Sequence, residues 1–223
     1  MNGEAKPRPR VVVFDLDGTL FDSLPGVLRA IRHALEPFES RPLTMDIFPN
    51  LGGPPERFFP GLLRDPSHAP AALARLSSFV AKNGWDASPY PGATVLLEDL
   101  VRAGFRTAVW TGRDRASTLE LVQRHALGAL IAAEVCGDDL PSHKPDPEGM
   151  AVLLRRFAAD PGDTLFVGDS DVDVRSGEAA GVRMILIRAG RPLGETVAGK
   201  AWRVADTHAD AYALVRSWAG IAP

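Results

Sequence analysis

Two aspartates one residue apart, Asp15 and Asp17, close the apolar run Val11-Val12-Val13-Phe14 and are followed by Gly18-Thr19. Carboxylates are almost never buried unless paired. At an effective dielectric of about 20, two of them about 4 Å apart repel by about 4 kcal/mol. A buried strand tip built this way calls for a cation. A second acidic stretch stands far along the chain, in Gly168-Asp169-Ser170-Asp171-Val172-Asp173. Between the two lie Thr111-Gly112, with a hydroxyl and a backbone N–H to offer, and Lys144, one of only four lysines in a chain that otherwise uses arginine. Brought together, Asp15, Asp17, Asp169 and Asp173 outnumber the one ammonium, and the excess negative charge favours a hard, oxygen-loving cation such as Mg2+. Backbone N–H groups at helix starts suit an anion. A site with magnesium, a lysine and helix N-termini is built for phosphate.

The elements that must position these residues follow from hydrophobic period. Four apolar residues, three of them β-branched, read as a strand buried on both faces. Further strands are predicted over 107–110, 132–136, 164–167 and 184–187, with helices over 93–103, 116–125, 148–158 and 174–180 between and after them. Gly104 and Gly181 close two of those helices. A last strand-like piece at 201–205 precedes a C-terminal helix that Asp206 or Thr207 caps. Strands alternating with helices of this length mean right-handed βαβ units. The expected fold class is α/β, a Rossmann-like parallel sheet with helices on both faces. In such a sheet the strand carboxyl ends lie along one edge, where ligands bind, and that edge gathers the residues named above.

One segment breaks the alternation. Asp22-Ser23 stands ready to cap a helix over 24–35, with Pro25 in its first turn and Val27, Leu28, Ile31 and Leu35 at helical spacing. Residues 36–70 are proline-rich, carry Gly52-Gly53-Pro54-Pro55 and the aromatics Phe38, Phe48, Phe58 and Phe59, and show no strand pattern. A helix over 71–82 follows, then the turn-dense Ser88-Pro89-Tyr90-Pro91-Gly92. The expected organisation is a disordered lead-in over 1–10, an α/β core from 11–21 and 90–223, and an inserted helical cap over 22–89. Hinges are expected beside Ser23-Leu24-Pro25 and at 89–92.

Composition sets outer bounds. The 223 residues are 45% hydrophobic and 24% charged, ordinary for a globular protein. A net charge of −3 argues against a nucleic-acid or acidic-membrane partner. No apolar run approaches the roughly 20 residues of a membrane helix. The single cysteine, Cys136, rules out an internal disulfide and fits a reducing compartment, so a cytoplasmic location is expected. With no second cysteine and scattered histidines, zinc is not expected.

In this order and at these places, Asp15-Leu16-Asp17-Gly18-Thr19-Leu20, Thr111, Lys144-Pro145 and Gly168-Asp169-Ser170-Asp171-Val172-Asp173 resemble the motifs of the haloacid dehalogenase superfamily of phosphohydrolases. The likeness covers about residues 11–190. The insertion after the first motif is similar to that family's small helical cap, and Tyr90-Pro91-Gly92 to its phosphoglycolate-phosphatase-like branch. The resemblance implies a Mg2+-dependent phosphatase for a small phosphate monoester, acting through an aspartyl-phosphate. Asp15 would be the nucleophile, and Asp17 the general acid to the leaving alcohol and then base to water. Mg2+ would be held by Asp15, the Asp17 backbone carbonyl and Asp169, while Thr111, Gly112 and Lys144 would hold the phosphoryl group. Asp173 would position Lys144 or a metal-bound water.

Other residues leave two readings open. Arg113 is a reach to substrate or a solvated charge at a helix start. Asp138 and Asp139 read better as a surface loop than as acids near the metal, and Asp171 as a solvated turn residue. Gly52-Gly53 is a simple turn or an approach to substrate. Phe48, Phe58 and Phe59 read as cap core before substrate wall. Among rival activities, a sugar-phosphate mutase shares the fold. A phosphonate hydrolase needs a cap lysine, for which only Lys82 is present, late in the insertion. A dehalogenase proper lacks the second aspartate, which Asp17 supplies. The remaining alternative is a non-catalytic phosphate-metabolite-binding protein.

Overall fold

The computed structural model describes residues 10–43, 55–84, 86–190 and 195–222. Residues 1–9 of the lead-in, and Phe48, Gly52, Gly53 and Pro54, lie outside the described residues. Arg10 is anchored: its guanidinium lies over the rings of Phe105 and Trp218, 4.7 and 4.4 Å from their centroids, and donates to the Trp218 carbonyl at 2.7 Å. The predicted lead-in therefore stops short of this residue.

A six-stranded sheet has the order β5-β4-β1-β6-β7-β8, with every neighbouring pair parallel. Its strands are β1 (Val11–Phe14), β4 (Arg106–Trp110), β5 (Ala133–Val135), β6 (Thr164–Gly168), β7 (Arg183–Ile187) and β8 (Arg203–Ala205). The apolar run at β1 sits in the middle, fully buried between β4 and β6. Alternation sends Val12 and Phe14 to one face and Val11 and Val13 to the other. The first face is covered by α4 (Ala93–Arg102), α5 (Arg115–Arg124) and α9 (His208–Ala219), through Leu96, Leu97, Leu100, Leu121, Val122, Tyr212 and Val215. The second is covered by α6 (Glu148–Phe157) and α7 (Asp171–Ala180), through Met150, Leu153 and Val174. A short helix α8 (Glu195–Ala198) precedes β8.

The inserted helices form their own apolar cluster. It joins Ile31, Ala34 and Leu35 of α1 (Leu24–Leu35), Phe59 and Leu62 of α2 (Pro55–Leu62), and Ala72 and Leu76 of α3 (Ala69–Asn83). Phe58 packs against this cluster as the sequence reading expects. Helix α2 was not legible in the proline-rich stretch. Pro55 opens it, where a missing N–H costs nothing, and Phe59 and Leu62 give its buried face a single turn of spacing. Two short strands join the insertion to the core beside the expected hinge positions. Strands β2 (Phe21–Asp22) and β3 (Ser88–Pro89) pair antiparallel, Phe21 with Pro89 and Asp22 with Ser88, and the Tyr90 N–H donates to the Leu20 carbonyl at 2.9 Å. The chain thus leaves and re-enters the core side by side.

Two caps refine the predicted helix starts. Helix α7 begins at Asp171, three residues earlier than expected. Ser170 and Asp173 form a reciprocal capping box, so the acidic stretch is itself the helix start. Thr207, not Asp206, caps α9, accepting the Asp210 N–H at 3.1 Å.

Candidate active site

The carboxyl ends of β1, β4 and β6 meet at one rim. The Asp15 N–H donates to the Val167 carbonyl at 2.8 Å, continuing the β1–β6 ladder one residue past the strand and fixing the Asp15 backbone to the sheet. Gly18 then takes a φ of 84°, in the left-handed region where glycine carries no Cβ penalty, and the chain turns back through Leu20 and Phe21 N–H bonds to the Leu16 carbonyl. Helix α9 braces that turn. His208 Nε2 lies 2.9 Å from the Gly18 carbonyl, and the buried Tyr212 hydroxyl donates to the Thr19 carbonyl at 2.7 Å. Neither residue stood out in the sequence, since nothing local marks a helix 190 positions away as a buttress.

Lys144, in the loop between β5 and α6, bridges two acids. Its Nζ lies 2.8 Å from Asp15 Oδ1 and 2.7 Å from Asp173 Oδ1, and the three side chains are 10%, 11% and 2% exposed. The ammonium also lies 5.3 and 5.2 Å from the ring centroids of Trp110 and Phe166. Asp173 is the most constrained member. Its Oδ2 accepts from the N–H groups of Asp169 and Ser170, at 3.2 and 3.1 Å, and from the Ser170 hydroxyl at 2.5 Å. Asp173 makes the contact with Lys144 that the first of its two readings expects. Asp15, Asp169 and Asp173 offer carboxylate oxygens within 4.8 Å of one another, all from buried residues.

Electrostatics follow from that crowding. Burial holds the Asp15 carboxyl well above the ordinary carboxylate range; Lys144 pulls it down, and Asp173 and Asp169 push it back up. Burial works against the Lys144 ammonium too, but Asp15 and Asp173 outweigh it and keep the lysine charged. Three carboxylates against one ammonium leave the rim short of positive charge.

Thr111 ends β4 as expected, 3% exposed, with its N–H on the Val135 carbonyl at 3.0 Å and its Oγ1 accepting the Arg113 N–H at 3.1 Å. Gly112 is exposed at the rim, and its carbonyl is approached so closely by Gly137 that a Cβ there would sit 2.2 Å from it. Asp17, beyond the strand tip, is one-third exposed and paired with Arg113: Nε to Oδ2 at 3.0 Å and Nη2 to Oδ1 at 2.6 Å. The Arg113 side chain is 5% exposed, which overturns the solvated-charge reading. Burial disfavours its charge, yet Asp17 holds its pKa above the ordinary arginine value.

The remaining acids sort as expected or move slightly. Asp138 and Asp139 lie on an exposed loop and bind Arg115, not the rim: Asp138 accepts the Arg115 N–H at 2.8 Å and Asp139 its Nε at 2.6 Å. Asp171 is half-buried in the first turn of α7, so it is no free turn residue. Burial pushes the Cys136 thiol up to about 11, which leaves it protonated and unreactive at neutral pH. No helix among the described residues is long and apolar enough to cross a membrane.

A strand-end acid pair, a lysine from the next crossover and an acidic helix start at one parallel rim define a hydrolase of the haloacid dehalogenase type. The pattern of the haloacid dehalogenase-like hydrolases matches residues 12–187, and the chain belongs to that family. It is 36% identical over 194 residues to the phosphoglycolate phosphatase of Rhodospirillum rubrum, covering 82% of this chain and 80% of that one. It is 32% identical over 202 residues to phosphoglycolate phosphatase 1 of Pseudomonas aeruginosa, covering 86% and 74%. A haloacid dehalogenase-like family hydrolase from Streptococcus pneumoniae superposes with a TM-score of 0.78 at 19% identity, over 93% of this chain and 98% of that one, which speaks to fold alone. The chain is a phosphatase of this family, a phosphoric monoester hydrolase.

Proposed function

We propose that this phosphatase hydrolyses a small-molecule phosphate monoester, phosphoglycolate being the first candidate, through an aspartyl-phosphate on Asp15 with Mg2+ at the rim. The observation that carries the reading is Lys144 bridging Asp15 and Asp173 with Asp169 beside them. Burying such a group of charges is unfavourable for packing alone. The names of the Rhodospirillum and Pseudomonas relatives put phosphoglycolate first.

The donor set fits Mg2+: buried carboxylate oxygens within 4.8 Å of one another, hard ligands in excess over the one ammonium. Asp15, Asp169 and the Asp17 backbone carbonyl would hold the ion, which supplies charge screening between nucleophile and phosphate and stabilises the transition state. Asp15 attacks phosphorus through a carboxylate oxygen as the phosphorus–oxygen bond to the alcohol breaks, and Asp17 gives that oxygen a proton. Water then attacks the aspartyl-phosphate, Asp17 takes its proton, and inorganic phosphate leaves. Thr111, the Gly112 N–H and Lys144 hold the phosphoryl oxygens, and Asp173 fixes Lys144. Residues 22–89 act as a cap that closes over the rim to exclude water and select the alcohol. Catalysis in a reducing compartment such as the cytoplasm is in keeping with the single buried cysteine.

The test is phosphate release across a panel of metabolite phosphates with and without Mg2+, together with Asp15→Asn. Turnover is expected to vanish in Asp15→Asn while the thermal midpoint changes little, because the near-isosteric amide also relieves the crowding of Asp15 against Asp169 and Asp173. Near-normal turnover in that variant would remove Asp15 from the mechanism. Substrate consumed without stoichiometric phosphate would point to a mutase, and no turnover of any ester to a binding protein.

A further inference from the structure

Asp17 stands past the end of β1 and one-third exposed, and the terminal torsion of an aspartate is broad. Nothing in its own backbone fixes where its oxygens point. Arg113 does. The Nε and Nη2 donors engage the two Asp17 oxygens separately, at 3.0 and 2.6 Å, in the planar fork that matches a carboxylate. The main chain that carries the fork is fixed on both sides of it. The Arg113 N–H donates to Thr111 Oγ1 at 3.1 Å, and the next residue, Asp114, caps α5 by accepting the Ser117 N–H at 2.9 Å. With its side chain 5% exposed, the guanidinium has no room to wander.

We propose that Arg113 is the positioning residue for Asp17, setting the direction in which the acid–base carboxylate faces the leaving oxygen without touching the phosphoryl group. The two arginine bonds take one position on each Asp17 oxygen, which leaves the other position on each for the proton that Asp17 gives to the leaving oxygen and later takes from water. A lysine at 113 keeps the charge but loses the two-point fork. This rests on the acid–base role given to Asp17 above. It adds the group that makes Asp17 effective toward alcohols that depart poorly.

The experiment is the rate of phosphoryl-enzyme formation, measured by acid quench in the Mg2+-loaded protein. Wild type, Arg113→Gln, Arg113→Lys, Asp17→Asn and Asp17→Asn/Arg113→Gln are compared on 2-phosphoglycolate and on p-nitrophenyl phosphate. Departure of p-nitrophenol needs no proton from the enzyme; departure of an alkyl alcohol does. Arg113→Gln is expected to slow phosphorylation by 2-phosphoglycolate by about 10–100-fold and that by p-nitrophenyl phosphate by less than about 3-fold, with KM for both held within a factor of about 2. Arg113→Lys should recover part of the loss, and the double variant should be no slower on 2-phosphoglycolate than Asp17→Asn alone. Equal losses on both esters, a raised KM, or losses that add to those of Asp17→Asn would overturn the proposal. A retained p-nitrophenyl phosphate reaction shows that the variant is folded. Absence of phosphoryl-enzyme in wild type would instead sink the parent mechanism.

Discussion

The rim and the helical insertion are held together by opposite means. At the rim, charged side chains are buried and fixed by one another: Lys144 between Asp15 and Asp173, Arg113 on Asp17, Asp173 on the start of α7. In the insertion the ion pairs are peripheral, as with Arg29 and Asp86, whose side chains are 57% and 67% exposed. Its cohesion comes from an apolar cluster centred on Ile31, Phe59 and Leu76. The contrast separates two tasks. Buried charge gives a rim one geometry at an energetic cost, whereas a small apolar cluster gives a unit that keeps its shape while its charged surface stays free to change.

Breaking the rim should have the largest effect. Lys144→Met leaves Asp15 and Asp173 buried without their shared cation. That change is expected to destabilise the metal-free protein by about 3–5 kcal/mol and to abolish phosphate release. Denaturant melts paired with an activity assay would show both. A variant as stable as wild type would mean that the acids are neutral or otherwise paired.

Phe59→Ala is the matching insult to the insertion. Phe59 is fully buried there, and its truncation should cost about 3–5 kcal/mol. The loss should be confined to α1, α2 and α3. Hydrogen exchange should show those helices opening while β1, β4 and β6 stay protected. Uniform loss of protection would show the two regions to be one cooperative unit.

A titration sharpens the same comparison. A carboxyl whose pKa is raised on folding binds more protons folded than unfolded. The metal-free protein should therefore lose stability as pH rises from about 4 through the raised range of Asp15. Millimolar Mg2+ should flatten that decline, adding about 2.7 kcal/mol at a hundredfold excess over its dissociation constant. Melts in EDTA and in Mg2+ across pH would test this, and identical curves would argue against a cation at the rim. The smallest effect belongs to the insertion surface. Arg29→Ala removes an exposed pair and should cost no more than about 1 kcal/mol, with a correspondingly small shift in thermal midpoint.

Much of this was legible in sequence because it is local. The residues that end β1, β4 and β6 announce themselves within their own ten-residue windows, and alternation with helices dictates that parallel strands present those ends at one edge. Helix α2 was not legible, since prolines and glycines mask a face of one turn. The paired strands β2 and β3, two residues each, are too short for any period to show.

What the chain alone determined is the kind of chemistry: which residues carry oxygen, charge and hydroxyl, and that the sheet collects them. What the tertiary structure decided is how each is aimed. Arg113 meets Asp17 across 96 positions, and His208 and Tyr212 reach the Gly18-Thr19 turn across 190 and 193. These are contacts between neighbouring strands or between a helix and a turn, set by packing, and no spacing along the chain encodes them. Arg113 in particular reads either as a reach to substrate or as a solvated charge, and its pairing with Asp17 shows only once β4 and β1 lie side by side.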